Sequence, residues 1–325
     1  MSTTFTIATF NIENLFTRYN FKGKKIKDAQ GKTAYRPYTP KELDTAVKDG
    51  FIIDKNIFNT TLKPVRKLTA KAIKAVKADI LGLQEVECLD TLKRFNSRYM
   101  KSKKFKYQMV IDGNDNRFID VALMSNFPID FIRTHQFRRK GRSNIFSRDC
   151  LEVHVNINGH TLPIFVNHFT SMMRGRAKSR YRREAQSEEV LKILRERFGQ
   201  DYGSHDFVVL GDFNDYIEPG KETLSGIRKL LETNKMVNVV ERLQKGERWT
   251  HYYKGDKSYR QLDYIFISRS LADKNPNVFP IIERRGQPKR VNQPGEPPRV
   301  KKFFPEVKGN IKASDHCPAA ITLQL

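Results

Sequence analysis

The amino-acid sequence predicts an α/β domain. Short runs dense in Val, Ile, Leu and Phe recur along the whole chain, two stretches between them carry helical spacing, and the apolar runs repeatedly end in polar residues. The strand candidates are FTIATFNI (5–12), DILGLQEV (79–86), DVALMSN (120–126), CLEVHVNI (150–157), LPIFVNHF (162–169), DFVVLGDF (206–213), LDYIFIS (262–268) and PAAITLQL (318–325). The first helix candidate covers 64–77, where Val65, Leu68, Ala72 and Val76 share one face behind a proline suited to a first turn. The second covers about 176–198, with Ala177, Tyr181, Ala185, Leu191, Leu194 and Phe198 on one stripe. Strands with helices between some of them fit neither a helix bundle nor a small barrel.

No linker, internal repeat or low-complexity tract divides the chain, so a single domain over 1–325 is expected, with basic insertion loops near 17–60 and 284–308. The chain has 60 Lys and Arg against 36 Asp and Glu, a net charge of +24. Such an excess favours a polyanionic partner, because each neutralised phosphate releases condensed counterions. Mean hydropathy is −0.61 and no apolar run approaches the roughly 18 residues that cross a bilayer, which excludes a transmembrane span. The three cysteines, Cys88, Cys150 and Cys317, show no CxxC spacing, so neither a disulfide scaffold nor a structural zinc site is expected. The first residues, MSTTFTIATFNIENLF, lack the basic and apolar blocks of a signal peptide, and a cytoplasmic location is the expectation.

The strand ends carry the chemistry. Asn11 ends TFN, Glu85 ends LGLQE, His168 ends IFVNH, and Asp212 and Asn214 end VVLGDFN. Asp263 opens LDYIF, and Asp315 and His316 precede the last strand. Gathered at one sheet edge, these residues line a single cleft. Carboxylates offer hard oxygen ligands to Mg2+ or Mn2+, amides position water or phosphate oxygens, and a histidine held by an aspartate suits acid–base work. Together they point to in-line phosphodiester hydrolysis.

TFNIEN (9–14), LQEVE (83–87), SRDCLEV (147–153), VNHFTS (166–171), GDFND (211–215), QLDYIFIS (261–268) and SDHCP (314–318) occur in that order. This series resembles the endonuclease/exonuclease/phosphatase superfamily, which includes DNase I-like and exonuclease III-like nucleases, sphingomyelinases and inositol-polyphosphate 5-phosphatases. The resemblance implies a four-layered α/β sandwich, two mostly antiparallel sheets flanked by helices. It implies metal binding by Glu85 with Asn11, and by Asp315 as a further ligand or electrostatic partner. Asp212 would orient or deprotonate the attacking water, and Asn214 would hold that water or a phosphate oxygen. His316, fixed by Asp263, would contact the scissile phosphate, and His168 would stabilise it or protonate the leaving oxygen. Arg148 matches a phosphate-contacting arginine. Whether Asp212 or His316 is the base stays open at the level of the motif.

The family pattern leaves the substrate open, and the basic stretches guide that choice. Residues 174–183 hold Arg174, Arg176, Lys178, Arg180, Arg182 and Arg183 without an acid, and 138–148 and 284–302 are similarly basic. Arg174, Arg176, Arg180, Arg182 and Arg183 are the expected backbone contacts of a nucleic acid, DNA before RNA. The expected function is therefore a Mg2+- or Mn2+-dependent nuclease of low sequence specificity. A phosphatase or phospholipase C-like hydrolase of inositol phosphates or lipid headgroups is the alternative, and a non-catalytic nucleic-acid-binding protein the second. Of the aromatic residues at 249–253, Trp249, Tyr252 and Tyr253 are expected to pack in the core, and His251 to be peripheral or to border the cleft.

Overall fold

A computed structural model of the chain describes residues 3–16, 24–48, 63–292 and 300–325. The two expected insertions fall partly outside them, at 17–23, 49–62 and 293–299. Two six-stranded sheets dominate. Their strands are β1 (Thr4–Leu15), β2 (Ile80–Val86), β3 (Tyr107–Val110), β4 (Asp120–Ser125), β5 (Ile129–Arg133), β6 (Cys150–Ile157), β7 (His160–His168), β8 (Val208–Asp212), β9 (Met236–Asn238), β10 (Asp263–Ser268), β11 (Ile281–Ile282) and β12 (Ala319–Gln324). One sheet has the order β11-β12-β1-β2-β4-β3 and the other β9-β10-β8-β7-β6-β5. Each is antiparallel except for one central parallel pair, β1 with β2 and β7 with β8.

The side-chain alternation of each strand explains the layering. Ile7, Ile80, Val121 and Leu123 of the first sheet meet Leu151, Val153, Ile164, Val166, Leu210 and Ile265 of the second in one core. The alternate residues Ala8, Phe10, Leu81 and Leu83 pack outward against Leu68, Ala72, Ile73 and Val76 of the Lys63–Val76 helix. On the far side Phe165, Phe207, Val209 and Phe266 pack against Val190, Leu191, Ile193 and Leu194 of the Arg176–Phe198 helix. This is the expected four-layered sandwich. Strands covered on both faces read as continuous apolar runs, and the eight runs visible in the sequence are the eight inner strands. The four others, β3, β5, β9 and β11, are the sheet edges, and β5 alternates half-buried with exposed residues.

Topology then gathers the polar strand ends. A parallel pair needs a crossover, so β1 and β2 finish on one edge with Asn11 and Glu85, as β7 and β8 do with His168 and Asp212. The antiparallel neighbours β10 and β12 start on that edge. Asp263 lies directly opposite Asp212, and Thr9 opposite Ala319, three residues after His316. Among the described residues no helix is long and apolar enough to cross a membrane.

Gly211 makes the closest approach. Its φ is +142°, and a Cβ there would stand 2.0 Å from the Asn167 carbonyl oxygen, which is backbone and cannot swing away. Gly211→Ala is expected to cost about 3 kcal/mol or more, from strain plus overpacking. Urea denaturation beside the wild type measures it, and an unchanged midpoint contradicts the packing described.

Candidate active site

Two irregularities aim the acids. Pairing of β1 with β2 breaks between Asn11 and Leu15, where Glu13 and Asn14 have φ of 51° and 62°. Pairing of β2 with β4 shifts between Gln84 and Val86, which leaves Glu85 (φ 66°) out of the ladder. Bulges re-aim side chains, and positive φ at residues other than glycine costs of order 1–3 kcal/mol, a strain that gathers at functional sites. The first strand thus runs past Asn11 to Leu15.

A buried hydrogen-bond chain joins the two sheets at this edge. The Asn11 amide donates to Asp212 Oδ2 (2.9 Å) and to Glu85 Oε1 (3.2 Å). The Asn214 backbone N–H donates to Asp212 Oδ1 (2.8 Å), and its side-chain amide to Asp212 Oδ2 (3.0 Å) and to the Phe169 carbonyl (3.1 Å). His316 Nδ1 lies 2.8 Å from Asp263 Oδ2, and its Nε2 faces Asp212 Oδ2 at 3.8 Å. Ser314 Oγ donates to the Asn11 carbonyl (2.7 Å) and accepts the His316 N–H (3.0 Å). Gln287 donates to the His316 carbonyl (2.6 Å). His168 Nε2 is 3.5 Å from Asp212 Oδ2 and 3.9 Å from Glu85 Oε1.

The charges divide into two groups. Burial disfavours a charged His316, but Asp263 and Asp212 outweigh it and raise the imidazole well above its ordinary value. Burial pushes the Asp212 carboxyl up to about 7, with Asp263 adding to the rise and His316 opposing it. Burial lowers His168 well below its usual value, and the charges of Arg148 and His316 lower it further, so it is a neutral ring near pH 7. On the other flank, burial and the charge of Asp315 raise both Glu85 and Glu13. Against the cost of desolvation, Lys312, His316 and His251 hold Asp315 at about 2. Lys312 donates to Glu13 at 2.7 Å.

Glu13, Glu85 and Asp315 feel one another's charge, and Lys312 offsets only part of it; carboxylates are the hard-oxygen donors a divalent cation takes, so their chemistry suits one. Asp212, Asp263 and His316 place ligand atoms within 4.8 Å of one another. There, however, Asp263 Oδ2 and His316 Nδ1 already satisfy each other, and a protonated imidazole cannot ligate.

The structure therefore brings Asn11, Glu85, His168, Asp212, Asn214, Asp263, Asp315 and His316 to one edge. Arg148 lies beside them, buried, with Nε 3.2 Å from Asp115 and Nη1 3.3 Å from the Phe169 carbonyl. Three further residues were missed by sequence reasoning: Glu13, whose signal was its place in TFNIEN, and Lys312 and Arg117, which carried none. His251 borders the cleft, its ring 4.8 Å from that of His316. Trp249 and Tyr252 pack in the core as expected, whereas Tyr253 is 49% exposed.

The arginine stretch needs correction. Arg183 is fully buried, donating to Asp215 Oδ2 and Ser179 Oγ (both 2.7 Å) and to the Arg176 carbonyl (2.8 Å). Arg176 bonds Asp215 Oδ1 (3.0 Å) and the Tyr216 carbonyl, and lies over the Tyr216 ring. Both fasten the loop after Asn214 to the Arg176–Phe198 helix; Arg183 is withdrawn from solvent and Arg176 largely so, against the sequence expectation. Arg174 and Arg182 are exposed, and Arg180 is half-buried on the Thr223 carbonyl (3.0 Å).

A family model described as "Endonuclease/Exonuclease/phosphatase family" matches residues 6–293. The chain belongs to this family, whose members are phosphoesterases that generally use divalent metals. No curated protein matches in sequence. Among solved structures the chain is similar to truncated TDP2 of Caenorhabditis elegans (15% identity, 99% of this chain and 98% of that one, TM-score 0.59). It is also similar to D. rerio TDP2 complexed with single strand DNA product (14%, 98% and 98%, 0.56) and to beta toxin of Staphylococcus aureus (14%, 98% and 99%, 0.57). At these identities the likeness is one of fold.

The buried Arg183–Asp215 pair distinguishes a structural arginine from a substrate contact. Arg183→Ala removes one of the two guanidinium partners of buried Asp215, leaving Arg176 and two backbone N–H groups on it, and is expected to cost about 2–4 kcal/mol through lost bonds and the cavity, whereas exposed Arg182→Ala stays within about 0.5 kcal/mol. Chemical denaturation of the two variants separates a structural arginine from a surface one.

Proposed function

We propose that the protein is a nuclease that hydrolyses phosphodiester bonds of DNA or RNA by in-line attack of water, with Mg2+ or Mn2+ as cofactor. The observation that carries this reading is Asp212. Its carboxylate is gripped by the amides of Asn11 and Asn214 and faces a charged imidazole backed by Asp263.

Each group has a distinct task. A carboxylate tuned to about 7 is matched to accepting a proton from water at neutral pH, so Asp212 serves as the base. His316, already protonated, donates from Nε2 to a non-bridging phosphate oxygen while Asp263 fixes Nδ1. Asn214 orients the water or a phosphate oxygen. His168, a neutral ring, acts as a hydrogen-bond donor to the phosphate rather than as a proton source. Glu85 and Asp315, with Asn11 and Glu13 beside them, would hold the cation. When bound, it supplies positive charge against the phosphate and the departing oxygen. Buried Arg148 adds fixed positive charge toward Glu85 and Asp212.

The net charge of +24 supports a polyanionic substrate, and the single-stranded DNA product held by the D. rerio relative supports a nucleic acid. Exposed arginines that meet phosphates read no sequence, so low sequence specificity is expected.

Purified protein should cut labelled DNA or RNA with Mg2+ or Mn2+ and stop on addition of EDTA. Asp212→Asn and His316→Ala should each lower the rate at least about 10²-fold. Full activity in either variant removes that residue from the mechanism. Intact nucleic acids beside phosphate released from inositol polyphosphates would overturn the nuclease reading in favour of a phosphatase.

A further inference from the structure

Lys312 stands where lysines are rarely found. Its side chain is only 13% exposed, and its ammonium reaches both oxygens of the Glu13 carboxylate, at 2.7 and 2.6 Å. The backbone on each side of it is fastened. Lys308 and Ile311 exchange N–H···O bonds across a turn (3.2 and 2.8 Å), and the Ala313 N–H donates to the Gly286 carbonyl (2.9 Å). The Ala313 carbonyl accepts from Thr69 Oγ1 of the Lys63–Val76 helix (2.7 Å), and Ser314 Oγ donates to the Asn11 carbonyl. Glu13 is held as well, in the break of the β1 and β2 pairing. Its N–H donates to Asn11 Oδ1 (3.0 Å), on the amide whose nitrogen serves Asp212 and Glu85.

Here the acid flank meets a cation of the protein's own. Glu13, Glu85 and Asp315 carry three formal negative charges, and Lys312 leaves two, which one divalent cation cancels. Arg148 acts on Glu85, whereas Lys312 acts on Glu13 and on Asp315. A fixed ammonium has two opposite effects in such a place. With no metal ion bound, it offsets the repulsion among the carboxylates and part of the cost of their burial. Toward an arriving cation it is a like charge, already seated on one of the donors, so binding is weaker than the acids alone would give.

Resting on the reading that Glu85 and Asp315 hold a divalent cation, we infer that Lys312 is a built-in counter-ion of that site: its ammonium on Glu13 steadies the acid flank when no cation is bound and lowers the affinity for multivalent cations, so that the ion stays exchangeable. Lys312 is thus a positioning residue that acts through the carboxylates, not a catalytic one. Its signature is charge. The repulsion it exerts scales with the charge of the ion, so a trivalent ion feels it more than a divalent one. A lysine that merely packed against Glu13 would show no such dependence.

The test measures ion binding by the full chain without turnover, Mn2+ from the electron paramagnetic resonance of the free ion and Tb3+ from its luminescence. Lys312→Met removes the charge and keeps the stem, Lys312→Gln keeps a donor for Glu13 without the charge, and Lys312→Arg keeps the charge. Both neutral variants should bind Mn2+ about 10-fold more tightly than wild type or better, and gain still more for Tb3+. Lys312→Arg should restore wild-type affinity. In EDTA the neutral variants should melt below wild type, and Mn2+ should raise their Tm by more than it raises that of wild type. Unchanged or weaker Mn2+ binding in both neutral variants, or equal gains for Mn2+ and Tb3+, would overturn the counter-ion while leaving the cation site standing. Glu85→Gln should abolish the Mn2+ binding counted here. Binding that survives Glu85→Gln, or no binding by wild type and neutral variants alike, would defeat the cation reading itself.

Discussion

The Asp212 carboxylate is the constraint on which the rest of the site depends. It is buried, it belongs to the second sheet, and it accepts an amide N–H from Asn11 of the first. A buried carboxylate without such partners is costly, and with them it becomes a fixed acceptor that ties the sheets together at their shared edge. Glu85 hangs from the same amide on one side, and His316 faces the same oxygen on the other. The acid flank and the acid–base flank are thus set relative to each other by one side chain. Gly211 before it and Asn214 after it, both at positive φ, exist to place it.

That arrangement was legible in the sequence to the extent that burial writes itself into composition. Inner strands are apolar on both faces, so their ends stand out, and the polar residues at those ends name the site. Edge strands are short, two to five residues, and IDFIR carries charged residues besides, so they leave little trace. Backbone strain was illegible: nothing in LGLQEVE announces that Glu85 leaves the ladder, and TFNIEN places Glu13 near the site without announcing its positive φ. The arginine run misled for a physical reason. A charge cluster reads as a solvated face unless its counter-ion is known, and Asp215, the partner of Arg176 and Arg183, lies 39 and 32 residues further on. Its place directly after GDFN was the available signal.

The same lesson applies to the basic surplus. Arg138 pairs with Glu196, Arg285 with Glu283, and Arg284 stacks on Trp249 while donating to its carbonyl (3.0 Å). Several arginines of the basic stretches are therefore engaged within the protein, and of those stretches Arg148 is the one buried beside Glu85 and Asp212. Electrostatics at the cleft is local and built from pairs, whereas the long-range field of the remaining charge favours encounter with a polyanion.

The most direct test of the central claim is a double-mutant cycle in kcat between Asp212→Asn and His316→Gln, measured on one phosphodiester substrate. Groups that act on the same proton and phosphate lose together, so the double variant should be little slower than the slower single one. Losses that multiply would mean that the two residues act independently, and that Asp212 does not organise the site.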